Sequence, residues 1–226
     1  GTNTTYVAAT PTALKTVSYP NQKYGTVLYW SVWAIDSAGN VSLPLSSKYT
    51  IPRIYIPPTI TAKKGTFYPT DSASYNAQSD YWRSDNNYVY QGGYDWHGTW
   101  FYGTRITGAL ARARSVTKMT ITITRANTAH GVAGPASVYV SRHTMAAQIS
   151  GDPSAYDTSG IYVGTLNRGE TKTFTVPSAY YPYFASGQSK GLGLYYGPTS
   201  FTDARYLYAL GAGSASSGKV YIEWTE

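Results

Sequence analysis

Apolar and polar residues alternate with a period of two along much of this chain, the spacing that sends successive side chains to opposite faces of a β-strand. In "VTKMTITITRA" (116–126) Met119, Ile121 and Ile123 fall on one face and Lys118, Thr120, Thr122 and Thr124 on the other, the signature of a half-buried antiparallel strand. "ASVYVSRH" (136–143) repeats it, with Val138 and Val140 inward and Ser137, Tyr139 and Ser141 outward. "GIYVGTL", "ETKTFTVP", "KGLGLYYG", "ARYLYALG" and "GKVYIEWTE" follow at turn-separated intervals, and "NRGE" (167–170) reads as a hairpin turn. Only "RITGALARARS" (105–115) and "RHTMAAQIS" (142–150) tolerate a helix, and Gly108 weakens the first. At least seven strands and no convincing helix predict an antiparallel, jelly-roll-like β-sandwich over 57–226, its last strand pinning the final residues into a sheet.

The first 56 residues carry their own pattern. Leu28, Trp30, Val32 and Ala34 alternate with Tyr29, Ser31 and Trp33, and the run ends in "DSAGN", where Gly39 suits a positive φ and Asp36 and Asn40 suit bonds to local backbone. This stretch resembles the last hairpin of a fibronectin type III module, with Trp30, Val32, Ala34, Asp36, Ala38, Gly39, Asn40 and Ser42 fitting and "SSKYTI" (46–51) as the final strand. It departs from that family in having Leu28 at the tyrosine-corner position, where Tyr29 is the nearest substitute. It is also too short for a full module of about 90–100 residues, so 1–56 reads as the C-terminal part of one. "IPRIYIPPTI" (51–60), with Pro52, Pro57 and Pro58, reads as a stiff connector. The opening "GTNTTYVAAT" has neither a start methionine nor a secretory pattern, and the expectation is a piece of a longer chain.

Composition agrees with an all-β reading. Tyrosine dominates the aromatic set (24, against 6 Trp and 5 Phe), and only 13% of residues are charged, too few for helices laced with ion pairs. A net charge of +7 raises the question of nucleic acid, but the basic residues are scattered. The densest group, Arg105, Arg112, Arg114 and Lys118, reads as a solvated loop entering a strand rather than a phosphate patch. Attraction to an anionic cell-surface polymer stays open on charge alone. Cysteine is absent, which removes disulfides, zinc-thiolate sites and thiol nucleophiles. No window reaches the apolar length of a membrane span, so membrane insertion is not expected.

Catalytic chemistry finds little support. A glycosidase needs two carboxylates flanking the scissile bond. Asp71, Asp80, Asp85, Asp95, Asp152, Asp157, Glu170, Asp203, Glu223 and Glu226 are the acids of the larger domain, and most lie in turns such as "SDNNY" and "SGDPSAYDTSG". His97, His130 and His143 are the histidines open to a triad, yet no nucleophile elbow accompanies them. No paired-histidine metal motif occurs. Calcium at Asp152 with Asp157, or at Asp80 with Asp85, stays open without an EF-hand spacing, and no metal or other cofactor is assigned. "GGYDWHG" lacks the Lys-Ser/Thr ending of a phosphate loop.

Aromatic recognition remains. "YQGGYDWHGTWFYG" (90–103) packs six aromatic rings, a carboxylate and an imidazole between four glycines. Sugar rings stack their C–H faces on Trp and Tyr while their hydroxyls need polar partners. Tyr94, Asp95, Trp96, His97, Trp100 and Tyr102 are therefore the candidate ligand-binding residues. If "TWFYG" is a strand, Trp100 and Tyr102 share a face and Phe101 takes the other; Phe101 is expected inside, and Tyr94, Trp96 and His97 more exposed. Tyr139, Tyr195, Tyr206, Tyr208 and Tyr221 are expected opposite the aliphatic residues of their strands, as cross-strand pairs, an oligomer interface or a ligand surface.

The larger domain resembles the C-terminal domain of minor tail proteins from tailed phages of actinobacteria. The residues that carry this are "YQGGYDWHGTWFYG", the long strand-loop-strand 116–143, "GETKTFTVP" and "SGQSKGLGLYYG". Such proteins often join fibronectin-like modules to a terminal domain. The resemblance implies a virion location at the tail tip or fibre, a role in host attachment or tip architecture, and other tail proteins as partners, with a homo-oligomer expected and a trimer among the options. A non-enzymatic adhesion module for host cell-surface polysaccharide, a structural domain making tail-assembly contacts, and a glycan-trimming enzyme are the three readings to weigh.

Overall fold

The computed structural model describes residues 25–52, 59–83, 87–128 and 131–226. The chain divides into two compact units, Gly1–Thr59 and Ile60–Glu226.

In the first unit, β1 (Val27–Val32) pairs antiparallel with β2 (Leu45–Thr50), from Val27 opposite Thr50 to Val32 opposite Leu45. The turn between them is organised by Asp36, whose Oδ1 accepts from the amides of Ala38 and Asn40 at 2.9 and 2.8 Å, while Gly39 takes φ +87°. Asn40 bonds the Asp36 carboxylate rather than backbone, through Nδ2 at 2.8 Å. Register puts Leu28, Trp30, Val32, Leu45 and Tyr49 on one face of this hairpin, and Trp30, Val32, Leu45 and Tyr49 are all exposed. The expected connector falls largely on 53–58, outside the described residues.

The second unit is an antiparallel β-sandwich. Its described strands are β3 (Ala62–Phe67), β4 (Asp71–Asn76), β5 (Tyr81–Arg83), β6 (Tyr88–Gln91), β7 (Trp96–Phe101), β8 (Ser115–Thr124), β9 (Ala136–His143), β10 (Ile161–Leu166), β11 (Thr171–Thr175), β12 (Gly191–Leu194), β13 (Leu207–Leu210) and β14 (Lys219–Thr225). A four-stranded sheet runs β11-β8-β14-β3, a six-stranded sheet β10-β9-β12-β7-β4-β5, and β13 pairs with β6.

Alternation explains the core. From the four-stranded sheet come Met119, Ile121, Ile123, Phe174, Val220, Ile222 and Trp224; from the six-stranded sheet come Trp100, Val138, Val140, Leu192 and Leu194. Each such side chain, fully buried, contributes about 1.5–3 kcal/mol relative to exposure. The outward face of β8 and β11 is a threonine lattice, with Thr122 bonded to Thr173 at 2.9 Å and Thr124 to Thr171 at 2.8 Å. Arg105, Arg112, Arg114 and Lys118 are exposed around the entry to β8, as a solvated loop requires.

Three local expectations need correction. "NRGE" is a turn, closed by the Glu170 amide on the Asn167 carbonyl at 3.1 Å, but β10 pairs with β9 and β11 with β8, so it bridges two sheets rather than a hairpin. Its local chemistry suits either connection; the partner strands decide. Residues 105–109 do form a short helix, α1 (Arg105–Ala109), whereas 144–150 are not helical. A helical turn also occurs in "SAYYPYFA", a 3₁₀ turn (Ser178–Tyr180) leading into α2 (Tyr181–Ala185), which starts at the fixed φ of Pro182 and buries Tyr180 and Phe184 in the main core.

Candidate ligand-binding surface

The β6–β7 connection is a tight turn between two sheets, closed by the single bridge of Gly92 with Trp96, in which Gly92, Gly93 and Asp95 all take positive φ, at 75°, 62° and 60°. Glycine is needed at the first two for a second reason. A Cβ on Gly92 would meet Thr199 Oγ1 at 2.7 Å and the Arg205 carbonyl at 2.9 Å, and one on Gly93 would meet the Tyr206 ring at 2.7 Å. The segment 198–206 thus lies directly on this turn, tied by the Gly93 amide to Thr199 Oγ1 at 2.7 Å and the Thr199 amide to the Gly93 carbonyl at 3.1 Å.

This docking lifts two rings into solvent. Tyr94 and Phe201 meet edge to face, centroids 4.6 Å apart, with 46% and 42% of their surfaces exposed. On one side of the pair is a shallow depression of about 470 Å³ walled by Gln78, Asp95, Pro198 and Thr199. On the other is one of about 280 Å³ walled by Tyr206, Tyr208 and Gly131, in which the Tyr206 and Tyr208 hydroxyls bond each other. Arg168 secures that wall by donating to the Gly131 carbonyl at 2.8 Å, and the buried Arg125 donates to the carbonyls of Gly134 and Leu166 at 2.6 and 3.0 Å. Burial pulls the Arg125 guanidinium down from its ordinary value, but these carbonyls satisfy its donors.

Asp95 is the charged residue of the larger depression. Its Oδ1 is enclosed with no hydrogen-bond donor. The neighbouring Tyr195 phenol is pushed up to about 12, by burial first and by the Asp95 carboxylate next.

Of the six residues predicted for a ligand site, the fold leaves Tyr94 exposed and Asp95 half-buried, and it buries the other four. Trp96 packs on Tyr90 at 5.0 Å and edge-on to Tyr81 at 5.9 Å. Trp100 lies in the sandwich core and donates Nε1–H to the Leu210 carbonyl at 3.3 Å. Tyr102 donates to the Gly218 carbonyl at 2.6 Å, its hydroxyl driven far above the ordinary tyrosine value by burial. His97 stacks on Tyr195, centroids 3.9 Å apart, and its Nδ1–H donates to Asp157 Oδ2 at 2.7 Å. Rings without accessible faces cannot stack on a ligand, so Trp96, His97, Trp100 and Tyr102 are packing residues. The cause is that β7 is covered twice: by the core on one face, and on the other by residues 144–158, where Met145 and Ile149 pack on Phe101 and Ala73 and Gly151 takes the Trp82 indole N–H at 2.8 Å. Phe101 is buried, but on the outer face beneath residues 144–158, while the sandwich core takes Trp100 and Tyr102, the reverse of the expected sides.

The strand tyrosines divide. Tyr206 is buried with Tyr90 and Trp96, while Tyr208, Tyr139, Tyr195 and Tyr221 are half-buried. Tyr139 belongs to a ring series with Tyr162 at 5.5 Å and Tyr196 at 4.6 Å, and Arg205 covers Tyr196 at 4.5 Å while Asp203 holds its guanidinium. Phe201 was not singled out by the pattern: it stands alone among Ser, Thr, Pro and Asp in "GPTSFTDA", and an isolated large ring in a polar loop is the one available signal.

Among the described residues the histidines and acids weighed for catalysis lie apart or are enclosed. The His97–Asp157 pair is sealed, its side chains 4% and 7% exposed. His143 is buried with its Nε2–H on the Trp100 carbonyl at 3.0 Å; His130 and Asp85 lie outside the described residues. Asp157 is engaged by His97 and Asp152 Oδ1 accepts from the Ser154 amide at 2.8 Å; among the described residues no three of His, Asp and Glu gather as metal ligands.

Models of known protein families, curated proteins and solved structures were all compared with this chain, and none of the three comparisons returned a match.

Proposed function

We propose that this chain is a non-enzymatic adhesion module of a phage tail tip or fibre, binding host cell-surface glycan through the Tyr94–Phe201 pair and the depressions beside it. The observation that carries the reading is that two large rings stand exposed and mutually braced between open, partly polar hollows on a rigid sandwich. The phage assignment rests on the resemblance of the larger domain to actinobacterial minor tail proteins, and on a preceding hairpin of fibronectin type III character. Shallow sites of this kind bind weakly one at a time; several copies on one tail raise the effective concentration and with it the avidity. The test is binding of the fluorescent full chain to actinobacterial cells and to their purified wall polysaccharide, beside Tyr94→Ala and Phe201→Ala variants of unchanged melting temperature. Saturable binding lost in both variants supports the reading; binding that survives both moves adhesion elsewhere, and no binding by a clustered, folded chain removes it.

A second reading, a structural role in tail assembly, is favoured by the first unit. Its hairpin exposes Trp30, Val32, Leu45 and Tyr49 on one face, an apolar surface of the sort that assembly contacts cover. A molecular mass that rises with concentration, and a Trp30→Ser, Leu45→Ser variant that stays monomeric, would support it.

A further inference from the structure

We propose that the ligand of this surface is an uncharged, hydroxyl-rich chain read along its length, with consecutive units seated on either side of the Tyr94–Phe201 ridge and a hydroxyl of one unit directed to Asp95. The inference rests on the adhesion reading and narrows it in two respects, chain length and charge.

Chain length follows from the position of the ridge. Tyr94 and Phe201 wall both depressions, so the ring pair stands between two hollows and not at the end of one. The hollows, about 470 and 280 Å³, lie at or near the lower end of the range for small-molecule sites, about 300–1,000 Å³, and both are open. One unit stacked on the pair leaves the far hollow to its neighbour. A ligand of several linked units fills what a single unit cannot, and a ridge with an open hollow on both sides imposes no chain end.

Charge follows from Asp95. It is the one charged side chain walling either depression among the described residues, and no cation pairs with it there. Oδ1 is enclosed and out of a ligand's reach, so a ligand hydroxyl meets the exposed remainder of this half-buried side chain in the larger depression. The nearby guanidinium of Arg205 is already held by Asp203 and laid over Tyr196. The chain is basic as a whole, yet the one charged side chain facing the larger depression is a carboxylate. A carboxylated, sulfated or phosphorylated unit seated here would face like charge at close range, whereas a hydroxyl donates to it. The side chains of the two hollows differ: Gln78, Thr199 and Asp95 set polar groups into the mainly apolar wall of the larger one, while the smaller one offers tyrosine rings whose hydroxyls are mutually engaged. A chain with one more hydroxylated and one more apolar face per unit matches that asymmetry.

The experiment is an array of neutral oligosaccharides from one to six units, with carboxylated and sulfated counterparts of the same backbones, probed with the full chain, Tyr94→Ala, Phe201→Ala and Asp95→Asn. Asparagine tolerates the positive φ of this position, so the last variant changes charge without straining the turn. The expected result is an affinity that rises at least tenfold from one unit to three, a neutral-over-anionic preference of at least tenfold, and collapse of that preference in Asp95→Asn. Binding that needs both rings but is indifferent to length, or that favours anionic counterparts, overturns this inference and leaves the adhesion reading standing. Absence of binding to both the array and whole cells overturns the two together.

Discussion

The imidazole of His97, the second residue of β7, donates Nδ1–H to the carboxylate of Asp157 at 2.7 Å, a bond between residues 60 apart in sequence. It clips residues 144–158 onto the outer face of the six-stranded sheet. The base of that segment is sealed by the Thr144 amide on the Tyr156 carbonyl at 2.8 Å and the Thr158 amide on the Arg142 carbonyl at 3.1 Å. Asp157→Ala leaves a buried imidazole N–H without its acceptor and is expected to cost about 1–3 kcal/mol. Hydrogen exchange checks it: amides of 144–158 should exchange faster, while any loss in β8 and β14 should track only the global stability.

His143 gives the fold a defined acid sensitivity. Burial holds its pKa down to about 4, against an ordinary 6.5, and its Nδ1 has no partner. Above pH 6.5 the ring is neutral folded or unfolded and contributes nothing to the pH dependence. Below it the unfolded chain takes up a proton that the folded chain refuses, so stability falls as pH drops from 6.5 towards about 4, by roughly 1.4 kcal/mol per unit and about 3 kcal/mol in all. Urea denaturation at pH 7.5 and 5.0 measures this, and His143→Gln should flatten the difference at some cost in absolute stability.

Trp96 and Tyr94, two residues apart, should respond to alanine in opposite ways. Trp96→Ala empties a site between Tyr90 and Tyr81 and is expected to cost about 3–5 kcal/mol. Tyr94→Ala removes a half-exposed ring and should change stability by less than about 1 kcal/mol. Thermal unfolding separates them. An equal loss in both would mean that Tyr94 is part of the packing and would remove it from the binding surface.

Two glycines give a further contrast. A Cβ on Gly98 would sit 2.4 Å from the Tyr90 carbonyl and 2.5 Å from Val89 Cγ1, where β6 crosses over β7, so Gly98→Ala should cost about 3 kcal/mol or prevent folding. Gly108, inside α1, has nothing within 4 Å of a Cβ, and Gly108→Ala should stabilise by up to about 1 kcal/mol. Denaturant midpoints of the two variants test both signs at once.

How much of this was legible in the sequence depends on whether one face of a strand meets water. For β8, with threonine and lysine outward, alternation identified Met119, Ile121 and Ile123 as core. For β7 it failed, because both faces are buried and a polar residue on the outer one, His97, is satisfied by a partner 60 residues on. A run of rings then reads as a surface when it is an interior. Residues 144–158 carry no periodic signal to announce that they cover a sheet, and the pairing of Tyr94 with Phe201 joins segments 107 positions apart. The turn at 167–170 was recognisable as a turn from Asn, Gly and Glu alone. Which sheets it connects was not, because that is set by the partners of β10 and β11.

Strand order also has a consequence for how the protein is made. β14 lies between β8 and β3, so the four-stranded sheet is in two pieces until residues 219–225 have left the ribosome. At roughly 5–20 residues per second, β3 waits about ten to thirty seconds for its neighbour. Through that interval Met119, Ile121 and Ile123 lack one wall of their core, and the edge of β8 that β14 later covers is open to pairing with another chain.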